Sequence, residues 1–219
     1  MFNKVFFGIY LKRLDNIIQW QDKDVVKSES VSQHSFKVSV FCTLLLDEIF
    51  GEECDNKIVN DFKLKCIKAS IYHDWDEALL MRDISHETKY NSFNGEEIRN
   101  SLNHLSNELS KREFLVDGKI KTVFNSMGKQ DEAVKIVVKF CDWAAMIFYL
   151  YREELLGNKT LIKQREHAVK SICDVYYDMR MKFNKYFSDT VVESMKWDSV
   201  LEFLKNISKL HLKIFYFVY

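Results

Sequence analysis

The chain has 219 residues, no proline and only 6 glycines, which suits one domain built from long helices, because both residue types punctuate loops and hairpins. Lys+Arg and Asp+Glu each total 32, so the formal net charge is zero, and a general nucleic-acid binder, which normally carries a basic excess, is disfavoured. The five cysteines (Cys42, Cys54, Cys66, Cys141, Cys173) are odd in number and lack any CxxC pair. That usage points to a reducing, cytoplasmic compartment with no disulfide framework and no cysteine-based zinc site.

Taken in chain order, residues 2–20 place Phe6, Ile9, Tyr10, Leu14, Ile17 and Ile18 at helical spacing and predict a first helix. The start carries no secretory pattern, since Lys12, Arg13 and Asp15 follow soon after the apolar opening. Residues 21–33 are polar and broken, and read as a loop. From His34, the series Val38, Phe41, Leu45 and Ile49 predicts a second helix ending near Gly51. Ile58, Phe62, Cys66, Ala69 and Tyr72 line a third, which delivers His73 and Asp74 at its C-terminal end.

Residues 81–95 lack apolar periodicity and read as a loop that overhangs a site. Residues 96–112 are predicted helical, and 117–129 a connection containing Gly118 and Gly128. A long helix is predicted over 131–156, stopped by Gly157-Asn158, the expected chemistry of a helix C-terminus. Two more follow over 161–187 and 191–210. The apolar tail Leu212–Tyr219 is expected to dock on the core or on a partner subunit. No apolar run is long enough to cross a bilayer, and no repeat or linker divides the chain, so residues 1–219 read as one domain without membrane contact.

The chemistry concentrates at the doublet His73-Asp74, within Ala69-Ser-Ile-Tyr-His73-Asp74-Trp-Asp-Glu77. An imidazole and a carboxylate side by side offer nitrogen and oxygen to one divalent cation. His34 upstream and Asp142 downstream complete the order His…His-Asp…Asp, each set in or beside an apolar helical pattern. Asp142 sits on the edge of the stripe Val138, Cys141, Ala145, Tyr149. A carboxylate buried there needs a partner, either a basic side chain or a cation; the company of the other three favours the cation. Three separated segments leave coordination places open for water and substrate, as a catalytic site requires. Glu77, four residues after His73, falls on the same face if the helix continues. Together with Asp83 it supplies carboxylates to handle protons.

These residues resemble the HD-domain phosphohydrolases, and within them the YfbR-like 5′-deoxynucleotidase family. Ser28-Glu29-Ser30-Val31-Ser32-Gln33-His34-Ser35 is similar to that family's Glu-Asn-Val-Ser-Glu-His-Ser, and Tyr72-His73-Asp74-Trp-Asp-Glu77 to its Tyr-His-Asp-Ala-Ser-Glu. Asp83-Ile-Ser-His-Glu-Thr-Lys89-Tyr90, Asp142-Trp-Ala-Ala and Glu153-Glu154-Leu-Leu-Gly-Asn158 follow in the family's order. The resemblance implies an all-α, HD-type helical bundle and one divalent metal ion (manganese, cobalt, magnesium, iron or zinc) held by His34, His73, Asp74 and Asp142. It implies hydrolysis of deoxynucleoside 5′-monophosphates, with Glu77 and Asp83 needed for the chemistry and Trp20 beside the deoxyribose, where a bulky wall excludes a ribose 2′-hydroxyl. It also implies a homodimer.

Two positions depart from the family pattern. Gln19 stands where an arginine usually precedes the tryptophan and holds the phosphate. Leu80-Met81-Arg82-Asp83 replaces a Thr-Gly-Asp turn, and Arg82 with Lys89 is the expected substitute source of positive charge. The altered turn leaves room for a second expectation, a triphosphohydrolase acting on deoxynucleoside triphosphates. The change at Gln19 motivates a third, a nucleotide-binding protein without turnover.

Overall fold

The computed structural model describes residues 11–51, 55–74, 77–78, 81–83, 100–101, 104 and 132–216, with side chains described as far as residue 207. Its regular elements among these residues are all helices: α1 (Lys12–Asn16), α2 (Val31–Phe50), α3 (Lys57–Tyr72), α4 (Glu132–Leu155), α5 (Ile162–Tyr186), α6 (Asp189–Ser194) and α7 (Trp197–Tyr216). The one extended pairing described is an isolated antiparallel bridge between Ile18 and Ser30. The chain divides into two compact units, Met1–Phe36 with Tyr72–Gln130, and Lys37–Ile71 with Asp131–Tyr219, so the boundary runs through α2 and the end of α3. The expected helix at 96–112 and the connection at 117–129 fall almost wholly outside the described residues, as do residues 2–10 of the first expected helix.

In the first unit the chain leaves the helical path earlier than its apolar spacing predicts. α1 stops at Asn16, and Ile17 to Gln19 run extended against Glu29 to Val31. The Val31 N–H donates to Ile17 O at 2.9 Å, and the Gln19 N–H to Glu29 O at 2.8 Å. Leu14, Ile17 and Val31 are buried by this pairing, which gives the apolar side chains the burial a longer helix would have sought. The predicted loop at 21–33 is therefore corrected at its end: its last residues pair and then open α2.

Ser30 caps α2. Its Oγ accepts the Gln33 N–H at 3.3 Å, and Gln33 Oε1 accepts the Ser30 N–H at 3.0 Å. This reciprocal capping box satisfies two orphan donors of the first turn.

The second unit is an aromatic core. Phe50 stacks on Phe183 (ring centroids 5.8 Å apart), Phe62 meets Phe183 edge-on at 5.4 Å, and Phe187 lies 5.0 Å from Phe62. Phe62 and Phe183 are fully buried, and each such side chain contributes about 1.5–3 kcal/mol over exposure. Asn56 caps α3 by accepting the Ile58 and Val59 N–H groups at 2.9 and 3.3 Å. Gly157, at φ +92°, ends α4. Its N–H donates to Glu154 O and that of Asn158 to Glu153 O, both at 2.9 Å, which is the Schellman pattern that the Gly157-Asn158 pair predicts.

The predicted helix at 191–210 is two helices, α6 and α7. The break falls at Met195-Lys196, where the Lys196 N–H donates to Ile49 O at 2.9 Å. A bond to the end of α2 replaces an intrahelical one there. α7 continues to Tyr216, so most of the expected apolar tail is helical backbone, and residues 217–219 lie outside the described residues. No helix among the described residues is long and apolar enough to cross a membrane.

Candidate metal centre

The capping box puts His34 in the first turn of α2, with its backbone N–H on Ser30 O at 3.0 Å. α3 ends at Tyr72, and His73 and Asp74 occupy the turn that follows. His34, His73 and Asp74 each offer one donor atom, and the three atoms lie within 4.8 Å of one another. Asp74 Oδ2 sits 3.0 Å from His73 Nε2 and 4.0 Å from His34 Nε2. The two imidazole rings are tilted by 51° with centroids 5.4 Å apart.

These donors fit a divalent ion. Bonds of about 2.0–2.2 Å place neighbouring donors roughly 3 to 3.5 Å apart; the His73–Asp74 separation of 3.0 Å matches this, and the His34–Asp74 separation of 4.0 Å is wider. Two imidazole nitrogens and a carboxylate oxygen suit a first-row transition ion or magnesium. His34 is buried and the other two are half-buried, so the group is neither fully solvated nor sealed.

Around this trio the structure fixes the candidate carboxylates in distinct ways. Glu77 is almost fully buried at 2% exposure. It is not on a continuation of α3, as its spacing predicts; the backbone turns at His73-Asp74, and the Glu77 N–H closes that turn on Asp74 O at 3.1 Å. The turn breaks the helix path but keeps Glu77 tied to the doublet through its backbone. Arg13 steadies the next residue, donating from a guanidinium nitrogen to Ala78 O at 3.4 Å.

Asp83 is half-buried, and its Oδ2 accepts the backbone N–H of Trp20 at 2.8 Å. Trp20 has φ +62°, a left-handed conformation that is costly for a bulky side chain and needs such an anchor. Gln19 is half-buried, with its backbone N–H held by Glu29 O. Arg82 is exposed, next to Met81 at φ +57°. Lys89 lies outside the described residues.

Asp142 lies on α4 in the second unit, half-buried and flanked by the buried Val138, Cys141 and Ala145. The grouping of His34, His73 and Asp74 is thus a property of the first unit alone. A residue outside the sequence expectation joins it. Glu29 is 2% exposed, and its Oε1 lies 3.6 Å from His34 Nδ1. No periodicity marks it, since a glutamate in a polar stretch reads as solvated; only the pairing of residues 17–19 with 29–31 turns it inward.

The family match and the helical fold make the chain a phosphohydrolase of the HD type, and two histidines and an aspartate in this order are the residues that could hold its metal. The chain belongs to the YfbR-like family: the family model described as 5′-deoxynucleotidase YfbR-like matches residues 6–195. Solved structures with the same fold include an HD-domain phosphohydrolase from Listeria innocua, at TM-score 0.59 and 16% identity over 91% of this chain and 97% of that one. A conserved hypothetical protein from Pyrococcus furiosus matches at TM-score 0.52 and 24% identity over 78% of this chain and 97% of that one. No curated protein matches the sequence.

Proposed function

We propose that this protein is a 5′-deoxynucleotidase, hydrolysing deoxynucleoside 5′-monophosphates to the nucleoside and phosphate with one divalent ion held by His34, His73, Asp74 and Asp142. The observation that carries the reading is the convergence of three donor atoms from His34, His73 and Asp74. The description of the family model supports the substrate class.

When bound, a divalent cation lowers the pKa of water and neutralises charge on phosphate oxygens. The chain's own residues do the remaining work. Glu77, buried and tied by its backbone to Asp74, accepts the proton of the attacking water. The new bond forms from water oxygen to phosphorus, the ester P–O bond breaks, and the proton taken up by Glu77 passes, by way of solvent, to the leaving nucleoside oxygen. Asp83 orients that leaving side and holds Trp20, whose indole walls the sugar pocket against a 2′-hydroxyl. Gln19 hydrogen-bonds the phosphate in place of the family's arginine, while Arg82 and Lys89 supply charge. Most of the rate comes from positioning and charge neutralisation, as in phosphoryl transfer generally.

The same reading makes the protein a cytoplasmic homodimer. Its described cysteines are all free thiols, which supports a reducing compartment. Sedimentation equilibrium of the purified protein tests the dimer.

The function is tested by a phosphate-release screen of deoxy- and ribonucleoside mono- and triphosphates across manganese, cobalt, magnesium, iron and zinc. The expected result is inorganic phosphate from deoxynucleoside monophosphates, with ribonucleotides poor. Release of triphosphate would instead assign a triphosphohydrolase. Binding without turnover under every metal would assign a silent nucleotide-binding protein.

A further inference from the structure

We propose that Glu29 is a positioning residue for the metal centre: its carboxylate faces Nδ1 of His34, favours the tautomer with the proton on that nitrogen, and so presents Nε2 of the ring to the cation. The inference rests on the metal-binding reading above and adds to it a residue beyond the ligands.

The geometry on both sides of the His34 ring points the same way. Nδ1 lies 3.6 Å from Glu29 Oε1, an ion-pair separation slightly longer than a hydrogen bond, while Nε2 lies on the other side, 4.0 Å from Asp74 Oδ2. An imidazole has one proton to place when neutral, and the hydrogen bond made by one nitrogen decides which nitrogen is left to bind metal. A carboxylate at Nδ1 therefore selects the tautomer with its Nε2 lone pair directed at the ligand cluster. A carboxylate behind a metal-binding histidine is a common arrangement.

Burial and backbone support the assignment. The side chains of His34 and Glu29 are 4% and 2% exposed. A carboxylate so deeply placed is costly without donors or positive charge nearby, and the His34 imidazole is the ring that faces it. Glu29 is also held from both sides. Its carbonyl accepts the Gln19 N–H, and Ser30, the next residue, is locked in the capping box of α2. Glu29 therefore stands at a fixed offset from His34, across the start of one helix.

The test uses the full chain, manganese(II) as probe, and Glu29→Gln and Glu29→Ala variants. Manganese affinity is read from the electron paramagnetic resonance of the free ion, and the His34 tautomer in metal-free protein from long-range nitrogen–proton correlation spectra. Glu29→Gln preserves the shape and can still accept the Nδ1–H, but lacks the charge. It is expected to keep the Nδ1–H tautomer and to raise the manganese Kd about tenfold. Glu29→Ala is expected to lose the tautomer preference and to raise the Kd by about 10- to 100-fold, the range typical of such partners. Wild-type Kd in Glu29→Gln overturns the proposal even if Glu29→Ala does not fold. An equal loss in both variants with the tautomer unmoved also overturns it, because that pattern is a general structural defect. Failure of the wild-type protein to bind manganese or any other divalent ion fails the metal reading itself, and is distinguished by being seen before any substitution.

Discussion

The backbone N–H of Trp20 donates to Oδ2 of Asp83 at 2.8 Å, across 63 positions of sequence. Trp20 is held in a left-handed conformation at φ +62°, so the bond fixes where a large indole stands. Asp83→Ala removes the acceptor and releases that constraint. The expected result is a fall in kcat/KM for deoxynucleoside monophosphates of about 10- to 100-fold, in the range of a lost charge-assisted hydrogen bond of 1.5–3 kcal/mol. Discrimination against the matched ribonucleotide should weaken at the same time. Parallel kinetics on the two substrates check it, and undiminished discrimination would remove Trp20 from the sugar pocket.

Ser30 links stability to the site. Its capping box starts the helix that bears His34. Ser30→Ala should cost about 1 kcal/mol, typical of a lost N-cap, and lower the Tm by several degrees. Thermal melting in the presence of a chelator measures this without a contribution from bound metal. An unchanged melt would mean that the box does not contribute to stability.

Three thiols in the second unit offer a separate check on packing. Cys42, on α2, lies within hydrogen-bonding reach of Cys66, on α3, and Cys141, on α4, and all three are buried. Burial pushes the Cys141 thiol well above its ordinary pKa. The thiolate is the reactive form, so Cys141 should resist an alkylating reagent at pH 8 in the folded protein and react once it is unfolded. Peptide mapping by mass spectrometry reads the result. Fast labelling of Cys141 in the native state would contradict this core.

Much of the fold was legible because it rests on local pattern. The apolar spacing of Val38, Leu45 and Ile49 marks α2, that of Phe62, Cys66 and Ala69 marks α3, and Gly157-Asn158 marks the end of α4. His73-Asp74 was legible for the same reason, as a polar doublet ending an apolar helix. What escaped depends on partners distant in sequence. Ile18 leaves the helical path to pair with Ser30, and Lys196 breaks a helix to reach Ile49. Glu29 turns inward only through that same pairing, and the left-handed backbone of Trp20 depends on Asp83. Charge and periodicity carry no trace of either contact.

The proposed activity requires that His34, His73 and Asp74 together hold a divalent ion. Elemental analysis of the protein after dialysis against manganese, in the wild type and in His73→Ala, Asp74→Ala and Glu77→Ala, tests it most directly. About one ion per chain is expected in the wild type and in Glu77→Ala, with turnover lost only in the latter of these two, and almost none in His73→Ala or Asp74→Ala. Full metal content in Asp74→Ala, or none in the wild type, would contradict it.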